Sequence, residues 1–127
     1  MDNKKDLSFD ESIRNNSLYL QVFQEMPCGA ALHKIVCDDQ GKAIDYVALE
    51  VNKKFLALLG VTSEEIIGIK ASMRLPLAEL QYWLDIFGTV ALEGKTGQYK
   101  MFSPFNKTHY EGKVICPKKG YFIAMFI

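Results

Sequence analysis

The chain has 127 residues, of which 49% are apolar, 24% charged and 12% aromatic, a size and composition suited to one soluble globular domain with its own core and too small for two. Fifteen basic residues balance fifteen acidic ones, so the chain lacks the basic excess by which a general nucleic-acid binder holds phosphates. No apolar run approaches the ~20 residues of a membrane span, and the polar start Met1-Asp-Asn-Lys-Lys-Asp6 is not a secretion signal. The chain reads as cytoplasmic, with no nucleic-acid or membrane contact expected.

The first 25 residues carry a capping-box pattern at Ser8 and Glu11, then Phe9, Ile13, Leu20 and Phe23 at roughly helical spacing. They predict a helical flank over 1–25. Met26-Pro-Cys-Gly29 breaks it, because proline removes a donor and glycine admits positive φ, and the compact domain is expected over 26–127.

Ala30 to Cys37 is apolar and β-compatible, Asp38-Asp-Gln-Gly41 is a hairpin turn signal, and Ile44 to Val51 reads as the returning strand. Asn52 is placed to cap a short helix containing Phe55, Leu56, Leu58 and Leu59 that stops at Gly60. Thr62-Ser-Glu-Glu65 is a capping box for a second short helix through Ile67, closed by Gly68. After an irregular stretch, Pro76 opens the long helix, with Leu77, Leu80, Leu84, Phe87 and Ala91 as its apolar stripe and Trp83 and Val90 widening it, up to Gly94. Three strands follow, over Gln98–Ser103, His109–Cys116 and Tyr121–Ile127. Six lysines from Lys95 to Lys119 predict a mildly basic, solvated face late in the chain. Cys28, Cys37 and Cys116 form no C-x-x-C pair, so they are read as buried free thiols rather than a disulfide framework or metal ligands.

Two strands, short helices, one long helix and three strands is the element order of the PAS fold, and local sequence agrees. Met26-Pro-Cys-Gly29, Asp39-Gln-Gly41, Asn52-Lys-Lys-Phe55, Leu59-Gly60 before Thr62 to Gly68, and the ending Cys116-Pro-Lys-Lys-Gly-Tyr-Phe-Ile-Ala-Met-Phe126 resemble PAS sensor sequences over about residues 18 to 127. The resemblance implies an α+β fold: a five-stranded antiparallel sheet in order 2-1-5-4-3, with helices on one face and an N-terminal helix. It also implies an input module of a bacterial signalling protein such as a two-component histidine kinase or a diguanylate cyclase. Such a module works as a homodimer, with an output domain C-terminal to it and a small-molecule ligand inside. The chain ends within a strand, which fits a piece of something longer.

Photosensory LOV members of that family place a reactive cysteine directly after the second short helix. Ile67 to Met73 contains none, so a flavin-thiol photocycle is not expected. Haem-binding members carry the proximal histidine on the long helix, and 77–94 has no histidine. The cofactor is left unknown.

For the ligand site, alternation places Ala31, His33, Ile35 and Cys37 on one face of the first strand, and the family relation turns that face toward the pocket. His33 is read either as a donor to an acidic ligand or as a hydrogen-bonded core histidine. On the second strand Tyr46, Ala48 and Glu50 share one face and Val47, Leu49 and Val51 the other; the family relation makes the first set pocket-facing, where apolarity alone favours the second. Glu50 is then a rim residue or a ligand contact, since an unpaired buried carboxylate is costly. Trp83, Phe122, Ala124 and Phe126 complete the expected lining, with Trp83 read as core before cofactor stacking. No nucleophile and base, carboxylate pair, phosphate loop or metal motif is visible, so no enzymatic activity is expected. A ligand-free interaction domain and a small α+β pocket enzyme are the alternatives.

Overall fold

The computed structural model describes residues 17–104 and 107–126. The capping-box pattern at Ser8 lies outside them. Helix α1 (Ser17–Glu25) is followed by hairpin strands β1 (Gly29–Cys37) and β2 (Ala43–Val51), helices α2 (Lys53–Leu59) and α3 (Ser63–Ile66), a 3-10 turn (Ala71–Met73) and the long α4 (Leu77–Glu93). Strands β3 (Gly97–Ser103), β4 (Thr108–Ile115) and β5 (Tyr121–Phe126) finish the fold. All strand pairs are antiparallel, in order β2-β1-β5-β4-β3.

The capping signals act as their chemistry requires. Asn52 Oδ1 accepts from Phe55 N–H at 2.9 Å, and α2 ends on Gly60 at φ 69°. The Glu65 carboxylate accepts from Thr62 N–H at 3.0 Å, and these contacts hold its pKa below the ordinary value. Helix α3 stops one residue before the expected Ile67, which is extended. Helix α4 ends at Gly94, φ 71°, whose N–H donates to the Val90 carbonyl.

The core lies between the sheet and α4. Leu80, Trp83, Phe87, Val90 and Ala91 are buried there, as the stripe predicts, but Leu77 is 69% exposed and Glu79 takes the buried place in the first turn. Gly112 allows β4 to lie flush: a Cβ there would stand 1.8 Å from the Met125 carbonyl oxygen, over which Tyr99 Oη donates a 2.6 Å hydrogen bond.

Two irregularities reset the hairpin's alternation. Leu32 pairs with Glu50 while His33 pairs with Ala48, leaving Leu49 as an extra residue; Val36 pairs with Asp45 and Cys37 with Ala43, leaving Ile44 extra. Such bulges turn later side chains to the other face. The inner set on β2 is therefore Tyr46, Ala48 and Val51, all in the core, and not Tyr46, Ala48 and Glu50. The expectation of buried thiols also fails: Cys37 is exposed beyond the second bulge, and Cys28 and Cys116 are half-buried.

Candidate functional site

The inner face of β1 and β5 carries a cross-strand pair, His33 opposite Phe122. Their rings stack at 4.5 Å and 10°. Phe87 of α4 stacks on Phe122 at 4.4 Å, and Trp83, one helical turn earlier, stacks on Phe87 at 5.2 Å and 14°. Tyr46 meets His33 and Phe87 edge-on at 5.3 and 5.4 Å. Aromatic pairs of this kind contribute roughly 0.5–1.5 kcal/mol each beyond area burial, so the column Trp83, Phe87, Phe122, His33 is a rigid wall.

Beside that wall lies a cavity of about 90 Å³. The sheet contributes His33, Tyr46, Tyr110, Ala124 and Phe126; α2 contributes Phe55 and Leu59; Arg74 and Leu75 come from the end of the 3-10 turn; α4 contributes Glu79, Trp83 and Phe87. Of the residues proposed from sequence, His33, Tyr46, Trp83, Ala124 and Phe126 thus border the cavity. Phe122 stands in the ring stack and Ile35 and Ala48 in the core, none of them in the lining. Glu50 is outside it too: the Leu49 bulge pairs it with Leu32, and its charge adds to burial in raising the Tyr19 phenol pKa on α1.

The lining also holds two charged residues that sequence reasoning did not single out, Arg74 and Glu79. Arg74 is fixed because Asp45 anchors the preceding turn: its Oδ1 accepts from Ser72 N–H at 3.0 Å and its Oδ2 from the Ser72 hydroxyl at 2.5 Å. The ion pairs among the described residues are Lys95–Glu93 and Lys100–Glu111, so Arg74 has no carboxylate partner there, and its buried Nε–H has no hydrogen-bond acceptor. Glu79 has both oxygens engaged: Oε1 accepts from the Ser103 hydroxyl and Oε2 from Trp83 Nε1–H at 3.3 Å. A charged residue at the start of an apolar stripe, four positions before the only tryptophan, was the available signal for Glu79. Arg74 gave a weaker one, as one of two arginines in a lysine-rich chain.

His33 is 3% exposed and its Nδ1 has no hydrogen-bond partner. Burial first, then the Arg74 guanidinium, push its pKa down to about 3, against a weaker opposing effect of the Ala31 backbone. The imidazole is therefore neutral at physiological pH. Burial likewise raises the Tyr46 phenol well above its ordinary value, so it stays protonated.

Architecture and cavity together define a PAS-fold domain. No family model matches the chain, and no curated protein matches it. Among solved structures, the LOV protein of Rhodobacter sphaeroides is similar with a TM-score of 0.55 and 17% identity, over 84% of this chain and 62% of that one. The PAS domain of an HTR-like protein from Haloarcula marismortui gives 0.50 and 18%, over 88% and 95%. A domain of an HTR-like protein from the same organism gives 0.55 and 16%, over 79% and 95%. At these identities the likeness is one of fold, and the chain spans about three-fifths of the LOV protein's length.

The large prosthetic groups weighed from the family relation do not fit this arrangement. Ligand pockets run to roughly 300–1,000 Å³, several times the 90 Å³ present, and the lining contains no cysteine. The ring column occupies the space between α4 and the sheet, and His33, the one histidine in the lining, is engaged in it.

Proposed function

We propose that this PAS-fold domain is the sensory input module of a bacterial signalling protein, that it binds one small ligand in the cavity, and that it catalyses no reaction. The observation that carries this reading is the pair of buried polar atoms without partners, His33 Nδ1 and Arg74 Nε, on two residues that line the cavity. Buried polar groups are ordinarily satisfied, and an orphan costs about 1–3 kcal/mol. Two on residues lining one cavity fit a place where a ligand supplies what the protein omits.

Signalling is then a population shift: the ligand favours one arrangement of α1 and the sheet, and a dimer transmits the bias to an output domain, as in a histidine kinase or diguanylate cyclase. Asn52 supports this route, because its side chain bonds Phe55 of the cavity wall and the Phe23 carbonyl of α1. The dimer reading is supported by Leu18 and Val22, 71% and 59% exposed one turn apart on α1. No helix among the described residues is long and apolar enough to cross a membrane.

Trp83 is the only tryptophan and borders the cavity, so its emission reports occupancy directly. Native mass spectrometry of freshly purified protein, followed by titration of small metabolites against Trp83 emission, tests the proposal. A retained or added small molecule supports it. A ligand-free mass together with an unresponsive Trp83 across the panel defeats it in favour of an interaction-only domain.

A further inference from the structure

Resting on the reading of the cavity as a ligand site, we infer that the ligand is a small monocarboxylate whose carboxylate lies between Arg74 and His33. Arg74 is a cation without a carboxylate partner among the described residues, and its buried Nε–H is unused. A guanidinium edge presents two parallel N–H groups that match the two oxygens of a planar carboxylate. His33 Nδ1 is the second buried polar atom without a partner in the lining.

Size and the remaining wall narrow the choice. At about 90 Å³ the cavity is several times smaller than the roughly 300–1,000 Å³ of drug-sized ligand sites, which limits the ligand to a few heavy atoms, as in acetate or propionate. Leu59, Leu75 and Ala124 offer the tail an apolar wall. Glu79 offers a ligand nothing further, because Ser103 and Trp83 already donate to its oxygens. Dicarboxylates exceed the small volume and phosphate has no apolar part for that wall, so both are disfavoured.

The test uses the 127-residue chain at constant ionic strength, titrated with acetate, propionate, propionamide, succinate and inorganic phosphate. Trp83 emission and amide chemical shifts provide the readouts. Acetate or propionate is expected to give a saturable change centred on Arg74 and His33, with propionamide, succinate and phosphate at least about tenfold weaker, the scale of one lost charged hydrogen bond. Arg74→Met, similar in reach but uncharged, should lose at least about tenfold in affinity, and Arg74→Lys, which keeps charge without the fork, should lose less. Circular dichroism checks that each variant folds, and the Lys variant carries the comparison if Met does not. Equal binding of propionamide or phosphate, full affinity in the variants, or no saturable carboxylate response overturns the inference. A cavity response to propionamide alone overturns only the carboxylate assignment; silence to these probes and to the wider metabolite panel removes the ligand-site reading as well.

Discussion

Asn52→Ala tests how the domain is tied together. As a helix cap alone, Asn52 would contribute about 1 kcal/mol. The structure gives it four hydrogen bonds at a fully buried position: Oδ1 accepts from Ala30 N–H and Phe55 N–H, both at 2.9 Å, and Nδ2 donates to the Phe23 and Cys28 carbonyls at 3.0 and 2.9 Å. Alanine orphans two buried donors at once and leaves two carbonyls short of a partner. With each unsatisfied buried group costing about 1–3 kcal/mol and partial relaxation admitting water, the loss should be about 3 kcal/mol. Urea unfolding followed by Trp83 emission and far-ultraviolet circular dichroism reads it directly. With a slope of about 1.5–2 kcal/mol/M the midpoint should fall by about 1.5–2 M, the slope itself unchanged. Asn52→Asp keeps the acceptor but turns an oxygen toward two carbonyls, and should recover little. A loss of 1 kcal/mol or less in the alanine variant, or an aspartate variant as stable as the parent, would show that only the Phe55 cap matters and would refute the four-bond tie.

His33 makes stability depend on pH. Its folded pKa of about 3 lies below the ordinary 6.5, so between those values the unfolded chain binds the proton that the fold refuses. Stability is full above 6.5 and declines as pH falls toward 3, by about 2 kcal/mol at pH 5; unfolding of wild type and His33→Gln at pH 7.5 and 5 should show the difference shrinking in the variant, and parallel pH profiles would contradict it. Gly112→Ala should cost at least about 3 kcal/mol or abolish folding, since its Cβ would meet the Met125 carbonyl oxygen at 1.8 Å, and a thermal midpoint near wild type would refute the close packing of β4 on β5. Asp45→Ala should release the turn that carries Arg74, costing about 2 kcal/mol and speeding amide exchange at Ser72 and Tyr46, both of which donate to Asp45 Oδ1 at 3.0 and 2.9 Å. Unchanged exchange there would mean the turn is held by other contacts.

The strand boundaries, the α2 and α4 caps and most of the α4 stripe are legible in the sequence because each is a local rule, written within a few residues. Sheet order is not local. It entered through the resemblance of whole segments to PAS sensor sequences, and the pairing of β1 with both β2 and β5 agrees with it. The two bulges were illegible for a physical reason: alternation is a period of two, and one extra residue at Leu49 reverses every later assignment without changing composition. That single residue moves Val51 into the core and takes Glu50 out of the cavity. Leu77 fails differently, since a residue in the first helical turn can satisfy the apolar period yet lie beyond the sheet that buries the rest.

The site divides along the same line. His33, Tyr46, Trp83, Ala124 and Phe126 border the cavity; alternation and the helical period group them into faces, and the resemblance to PAS sequences is what turned the strand faces toward a pocket. Arg74 and Glu79 depend on tertiary pairing. Arg74 sits on an irregular turn whose position is set by Asp45, 29 residues earlier in the numbering, and Glu79 is admitted to the interior because Ser103 on β3 and Trp83 on α4 both donate to it. A buried carboxylate is tolerated when its oxygens are satisfied, and a buried guanidinium N–H carries the same requirement. The fold meets that requirement for Glu79 and leaves it open at Arg74. This asymmetry among the described residues, more than the size of the cavity, is why the proposed ligand is assigned to Arg74 and not to Glu79.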